Sequence, residues 1–265
     1  MSSRPYGIAA PLLAPLIASL LLSGCAPSVD PIGRLGKKAA HEVGKARSHG
    51  PTLAAYRRWG LAAPLAAAPK PTARVTARSA GPGLAPLVDR VPTRDRVVFL
   101  TYDDGAERDP RFVDMVRELR LPVTMFLTNS VVGPGYGHFA QLRAVGATVQ
   151  NHTLDHPSLR GLPYAGQRAE ICGQQDKLRQ RFGIRPRFLR PPYGTYDTTT
   201  LRAAADCRIA AVVRGRDGRD TGSGPLRPGD ILSGFDAPDL TEVTVGLLRR
   251  IQAEGFTPAR LEDYL

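Results

Sequence analysis

The sequence predicts an α/β domain with a mainly parallel sheet, closed into a distorted or incomplete (β/α) barrel. Three observations predict it. From Asp95 onward, short apolar runs alternate with longer amphipathic runs, the pattern of strand–helix–strand units. The residues with chemistry to offer fall directly after the apolar runs, where parallel barrels and doubly wound sheets place their sites. A doubly wound fold usually carries a glycine-rich loop after its first strand; here Thr101-Tyr102-Asp103-Asp104-Gly105 stands there, so a barrel is preferred. The domain, residues 95–265, is short for eight full units, and an incomplete barrel is expected.

Each element has its own signal. Residues 97–103 are β-branched and aromatic, and too short a run for a helix, so they read as a buried strand. Residues 111–120 carry Phe112, Met115, Val116 and Leu119 at helical spacing. A second strand follows at 122–127, a helix at 136–145 that Gly146 ends, and a third strand at 147–150. Residues 164–182 form the longest helix, and Phe188-Leu189 lead a fourth strand. Asp197 is an N-cap for a helix to Ala205. Strands at 209–213 and 230–232, a helix at 239–254 and a last short strand at 256–258 complete the alternation before residues 261–265.

The preceding part of the chain reads differently. After Arg4, an apolar run from Ile8 to Leu22 is broken by Pro11 and Pro15 and ends in Leu22-Ser23-Gly24-Cys25. A short apolar run closing on small residues is an export signal and not a membrane span. Residues 1–24 are therefore expected to be a signal peptide, and 25–94 a tether and Pro/Ala-rich linker. Within it, 41–59 could form one or two short helices, with Tyr56 and Trp59 on a weak apolar face. Pro64, Pro69, Pro71, Pro82, Pro86 and Pro92 exclude a regular helix or central strand, so 61–92 reads as an extended spacer. The net charge of +12 would suit nucleic acid, but an exported chain meets anionic envelope polymers or lipid headgroups instead. Outside the cell, the even pair Cys172 and Cys207 suggests a disulfide, against two separately buried thiols.

Three stretches carry chemistry. Asp103 and Asp104 close the first strand, and strand alternation sends their side chains to opposite sides, so they need not share a job. His152 and His156 are four apart and meet on one face of a helix, or converge from a turn leaving a strand. Two imidazoles and one carboxylate, with Asp104 as the candidate, make a three-ligand divalent site with room for water. Arg190-Pro191-Pro192-Tyr193-Gly194 is a stiffened loop. It can present a backbone N–H to an oxyanion, and Arg190 can hold a carboxylate ionised.

In this order the three stretches resemble the polysaccharide deacetylase family, the NodB-homology domain of carbohydrate esterase family 4. The resemblance covers roughly residues 94–265. Thr101 to Gly105 matches the family's Thr-Phe-Asp-Asp-Gly, with Tyr102 for Phe. His152 to His156 matches His-Ser/Thr-x-x-His, and Arg190, Pro192 and Gly194 match Arg-x-Pro-x-Gly. It implies a distorted (β/α) barrel, with Asp103 as catalytic base. Asp104, His152 and His156 are implied as ligands of zinc or a similar divalent ion. The N–H of Tyr193 is implied in the oxyanion pocket, with Arg190 orienting Asp103. Cys25 after Ser-Gly resembles the lipidated cysteine of a bacterial lipoprotein, which implies an anchor at the outer face of the cell membrane.

The chain also departs from the family. The family's fifth motif, Gly-x-Ile-x-Leu-x-His, ends in the general acid. Here the segment is Gly229 to Asp236, with Phe235 where the His stands and Ser233 where the leucine of the acetate pocket stands. The fourth motif keeps Asp217 and Asp220 but neither tryptophan. His138 is the other histidine of the domain and reads as a surface residue on a Gly-rich loop, with reach to the site as the alternative. The expected activity is removal of acetyl groups, N-acetyl before O-acetyl, from an envelope polysaccharide. The alternative is a lipoprotein that keeps barrel and metal but binds glycan without turnover.

Overall fold

The computed structural model describes residues 50–74, 80–104, 108–215, 224–234 and 239–265. Cys25, Gly105, Asp217, Asp220 and Phe235 lie outside them, as do the expected signal peptide and residues 25–49 of the tether. In chain order the elements are α1 (Leu53–Arg58), β1 (Leu87–Val88), β2 (Val97–Tyr102), α2 (Pro110–Leu119) and β3 (Val123–Leu127). Then follow α3 (Asn129–Val132), α4 (Tyr136–Ala144), β4 (Thr148–Asn151), α5 (Tyr164–Phe182) and β5 (Phe188–Leu189). The chain ends with α6 (Thr198–Asp206), β6 (Ala211–Val213), β7 (Ile231–Gly234), α7 (Leu240–Ala253), β8 (Thr257–Pro258) and α8 (Leu261–Tyr264).

The strands lie in the order β1-β6-β5-β4-β3-β2-β7, every pair parallel, and β8 pairs with the start of β2. β2 is buried along its whole length, as a strand covered on both faces must be. Its alternate side chains enter two cores. Val98, Leu100 and Tyr102 pack with Phe112, Met115 and Val116 of α2 and Leu248 and Ile251 of α7. Val97 and Phe99 pack with Phe126, Phe188, Val213 and Ile231, and with Leu261 and Tyr264 of α8. A third cluster joins Ile171 of α5 to Leu201, Ala203 and Ala204 of α6 over Leu189 and Val212. A disulfide links Cys172 of α5 to Cys207, just past α6, with the Cα atoms 5.2 Å apart.

The sheet is not closed by a regular ladder. Its two outer strands, β1 and β7, meet through one antiparallel bridge, Arg90 to Asp230, and through Val91 N–H donating to Gly229 O at 2.9 Å. This is the distorted barrel the sequence predicts, but part of it is built from the stretch read as spacer. β1 pairs with β6, and Leu61, Ala85, Val88 and Val91 are buried. α1 packs Tyr56 into the main core, and Trp59 Nε1–H donates to Glu118 Oε2 at 2.8 Å. Beyond α1 the chain accepts hydrogen bonds at Gly60 O from Arg249, at Ala63 O from Gln252 and at Pro69 O from Tyr264. The physical reason is plain. Proline bars helix and central strand, yet it permits an extended chain to lie against the fold, and a two-residue edge strand needs only the pairing groups Pro86 does not remove. The compact unit accordingly runs from Gly50 to Leu265, not from residue 95.

Candidate active site and metal centre

All strands that carry the three motifs are parallel, so their C-terminal ends share one side of the sheet. Asp103 follows β2, His152 follows β4 and Arg190 follows β5. Main-chain bonds continue past the strands and tie the motif loops together. Thr128 N–H donates to Asp104 O at 3.3 Å, His152 N–H to Leu127 O at 3.1 Å and Arg190 N–H to Asn151 O at 2.9 Å. Thr128 Oγ1 also donates to His152 O at 2.7 Å, so the residue after β3 holds both metal-motif loops.

Asp103 and Asp104 take different partners, although both lie past the end of β2 and Asp104 has φ 60°. Asp103 Oδ1 accepts from Arg190 Nη1 at 2.6 Å, and both side chains are largely buried. The Arg190 guanidinium lies 4.2 Å from the centre of the Phe126 ring, which fixes its plane. Its Nε and Nη2 are buried and find no hydrogen-bond partner among the described residues. Gly215 passes beside it with φ +100; a Cβ built there would lie 3.2 Å from Arg190 Nη2 and 3.1 Å from Ile231 O.

Asp104 faces the two imidazoles. Its Oδ1 lies 3.1 Å from His152 Nε2 and 3.0 Å from His156 Nε2. His152 Nδ1 lies 2.7 Å from Arg190 O, and a carbonyl can only accept, so Nδ1 carries the proton. In the neutral ring Nε2 then offers its lone pair toward a carboxylate oxygen. Asp104 Oδ1 is buried, and among the described residues the two imidazole Nε2 atoms are its polar neighbours. Two acceptors in contact are relieved by a proton or a metal ion between them. The donor atoms of Asp104, His152 and His156 all lie within 4.8 Å of one another, so the donor set could hold a divalent ion. Burial works against ionising Asp104; hydrogen bonds and charge from the imidazoles, where these are protonated, outweigh it and hold the carboxyl below the ordinary carboxylate range, a part a bound cation would take when the rings are neutral.

The two histidines converge from a turn and not from a helix. Thr153 and His156 have φ of 70° and 62°, and Asp104 and Tyr193 have 60° and 58°. These are four of the six non-glycine residues with positive φ among the described residues, so backbone strain is concentrated at the site. Each such residue costs roughly 1–3 kcal/mol and persists only where its surroundings fix it. One fixing group is Glu170 of α5, whose Oε2 accepts from Leu154 N–H at 3.0 Å and Asp155 N–H at 2.9 Å. Another is Asn151, whose Oδ1 accepts from Thr153 N–H at 2.9 Å and whose Nδ2 donates to Ile171 O at 2.9 Å. Sequence reasoning missed Thr128, Asn151, Glu170 and Gly215. Asn151 and Thr128 stand at strand ends beside the motifs, a signal that could have found them; Glu170 offers none.

Tyr193 sits in the turn closed by Gly194 N–H to Pro191 O and Thr195 N–H to Pro192 O, both at 3.1 Å. Its side chain is 70% exposed, its hydroxyl lies 3.2 Å from His156 Nδ1 and its ring is edge-on to that imidazole. Pro192 is buried under this turn. Ser233 is buried on β7, its Oγ 3.4 Å from Thr101 Oγ1. His138 lies in the first turn of α4 with its ring edge-on to Phe139, and is not one of the donors gathered at Asp104.

Comparison with known proteins adds to this geometry. The family model for polysaccharide deacetylase matches residues 90–212. An uncharacterized protein of Streptomyces coelicolor is 50% identical over 99% of this chain and 98% of its own length. A chitooligosaccharide deacetylase of a Bradyrhizobium species is 31% identical over 47% of this chain, which spans 58% of that enzyme. Among solved structures, a carbohydrate esterase family 4 pseudoenzyme from Bacillus anthracis superposes with a TM-score of 0.57 at 18% identity, covering 63% of this chain and 64% of its own. With its parallel barrel and the three motifs drawn to one end of it, the chain belongs to the polysaccharide deacetylase family.

Proposed function

We propose that the protein is a metal-dependent hydrolase that removes acetyl groups from an N-acetylated polysaccharide of the cell envelope. The observation that carries this reading is the buried Asp103–Arg190 pair beside the Asp104, His152 and His156 donor set. A binding protein needs no base; a hydrolase does.

A divalent ion, zinc or a similar metal, held by Asp104, His152 and His156 would polarise the acyl carbonyl and make water acidic enough to attack near neutral pH. The residues do the rest. Asp103 takes the proton of the attacking water, and Arg190 keeps it aimed. The Tyr193 N–H faces the oxygen on which negative charge develops. The departing amine needs a proton, and Phe235 cannot give one. Asp103 returns the proton it took. Lacking a dedicated acid costs typically about 10²–10⁴ in rate, so turnover is slow. An O-acetyl ester suffers less, because its leaving oxygen needs less help than an amine. The export signal and Cys25 support a lipid-anchored position at the outer face of the membrane, where the substrate is envelope glycan and not nucleic acid.

The test is acetate release by the zinc-loaded protein from N-acetylglucosamine oligomers, peptidoglycan and a simple acetyl ester. The expected result is slow release that chelation and Asp103→Asn both abolish. A second reading, glycan binding without turnover, is favoured by Phe235 and by the absence of both tryptophans from the fourth motif. Under that reading nothing is released, and Asp103→Asn leaves glycan affinity unchanged.

A further inference from the structure

We propose that a basic cleft at the other end of the barrel binds a phosphate group carried on a small organic moiety. The candidate active site lies past the C-terminal ends of β2, β4 and β5. Arg185 and Arg208 instead precede β5 and β6, at the strands' N-terminal ends. With Arg168 and Arg179 of α5 they line an open cavity of about 280 Å³. That is just below the ~300–1,000 Å³ of pockets for drug-sized ligands, so the ligand is small.

The charges in the cleft do not balance. It contains two carboxylates, Asp176 and Asp206. Asp176 pairs with Arg179 at 3.1 Å, and Asp206 accepts from the Tyr164 hydroxyl at 2.6 Å. Among the described residues no carboxylate pairs with Arg168, Arg185 or Arg208. Three neighbouring cations repel one another unless an anion sits between them. Guanidinium groups present paired donors that match phosphate oxygens, and a phosphate monoester can carry two charges, matching the excess of two that remains when Asp206 is set against these three arginines.

The cleft is also built to hold its shape. The Cys172–Cys207 disulfide ties α5 to the segment carrying Arg208. Gln175, itself buried, donates from Nε2 to Pro186 O at 2.9 Å and to Cys207 O at 3.4 Å, joining the two segments that bear Arg185 and Arg208. Arg208 is held in the left-handed region with φ 62°, its N–H donating to Ala205 O at 2.9 Å. None of these contacts serves the metal centre, and the inference is independent of the hydrolase reading.

The experiment is calorimetric titration of the full chain with sn-glycerol 3-phosphate at fixed ionic strength. The protein is stripped of metal and dialysed, so that the metal centre takes no phosphate. Saturable binding is expected, weakened about tenfold or more in Arg185→Gln/Arg208→Gln. Arg57→Gln/Arg94→Gln removes the same charge from exposed positions elsewhere and should leave the affinity nearly unchanged. Phosphatidylglycerol vesicles form the second arm. Selective loss of vesicle association in the cleft variant assigns the phosphate to a lipid headgroup; loss of glycerol phosphate binding alone assigns it to a soluble source. Equal weakening by both pairs, or no saturable binding in either arm, overturns the proposal. Melting temperatures of both variants check that the fold is intact.

Discussion

Arg190 serves the site with both ends of one residue. Its guanidinium holds Asp103, and its carbonyl fixes the tautomer of His152. The sequence made the first role readable, because an arginine in a stiff loop downstream of a strand-end carboxylate suggests a clamp. The second role is a main-chain contact and leaves no trace in residue identity. Gly215 is equally silent in the sequence, yet it occupies the space against the clamp. A methyl group there would press on Arg190 Nη2 and the Ile231 carbonyl, in a backbone conformation that L residues rarely adopt. Gly215→Ala is expected to cost roughly 1 kcal/mol or more in stability. Acetate release should fall by about 10- to 100-fold, because small misplacements of a positioned base are expensive in rate. Chemical denaturation and initial rates separate the two effects. A variant with unchanged rate would show that the guanidinium has room to yield. Metal content should stay as in the parent protein, since Gly215 touches the base side of the site and not the donor side.

At the scale of elements, periodicity served best where an element is long and decides its own conformation. The helix expected at 164–182 is observed as Tyr164–Phe182, and Asp197 caps α6 with its side chain accepting from Thr200 N–H. The core of 97–103 is strand, with its last residue released to the site. The loop after β4 was open between helix and turn, because an i, i+4 histidine pair suits both. What settles it is α5, whose Glu170 reaches a segment 15 residues earlier to accept two of its N–H groups. Contacts between a helix and a distant loop have no period, so pattern reading cannot find them. Glu170 is therefore expected to position the metal loop without touching the metal. Glu170→Ala should weaken zinc affinity about 10- to 100-fold, the usual effect of removing an outer-shell support. Glu170→Gln retains a carbonyl acceptor and should restore most of it. Zinc competition with a chromophoric chelator reads both. Equal affinities in parent and alanine variant would mean that Asn151 and Thr128 hold the loop unaided.

For the whole molecule, the decisive feature is that the barrel depends on residues that look like a linker. β1 is two residues long, and its place in the sheet comes from pairing with β6, more than 120 residues later. No local signal marks such a strand, whereas six prolines nearby argue against one. Gly229 shows how closely the two sides meet: its φ is +83, and a Cβ there would lie 1.9 Å from the Val91 carbonyl oxygen. Leu61, Val88 and Val91 are at most 3% exposed, and Tyr56 adds a fourth large buried side chain. Burying a valine or leucine is worth about 1.5–3 kcal/mol each, against a total stability of roughly 5–15 kcal/mol for a domain. A chain begun at Arg94 loses all four, leaves the outer edge of β6 unpaired, and exposes apolar surface along α2 and α7. It should be unfolded or aggregated, and its failure to release acetate would then say nothing about catalysis. A chain begun at Gly50 keeps every one of these contacts and should melt as cooperatively as the full protein. Thermal melts of the two chains side by side decide the matter. Equal melting temperatures would make residues 50–93 a passenger on the barrel; a missing transition in the shorter chain would make them its closing wall, whose removal opens the same sheet that aligns Asp103, His152 and Arg190.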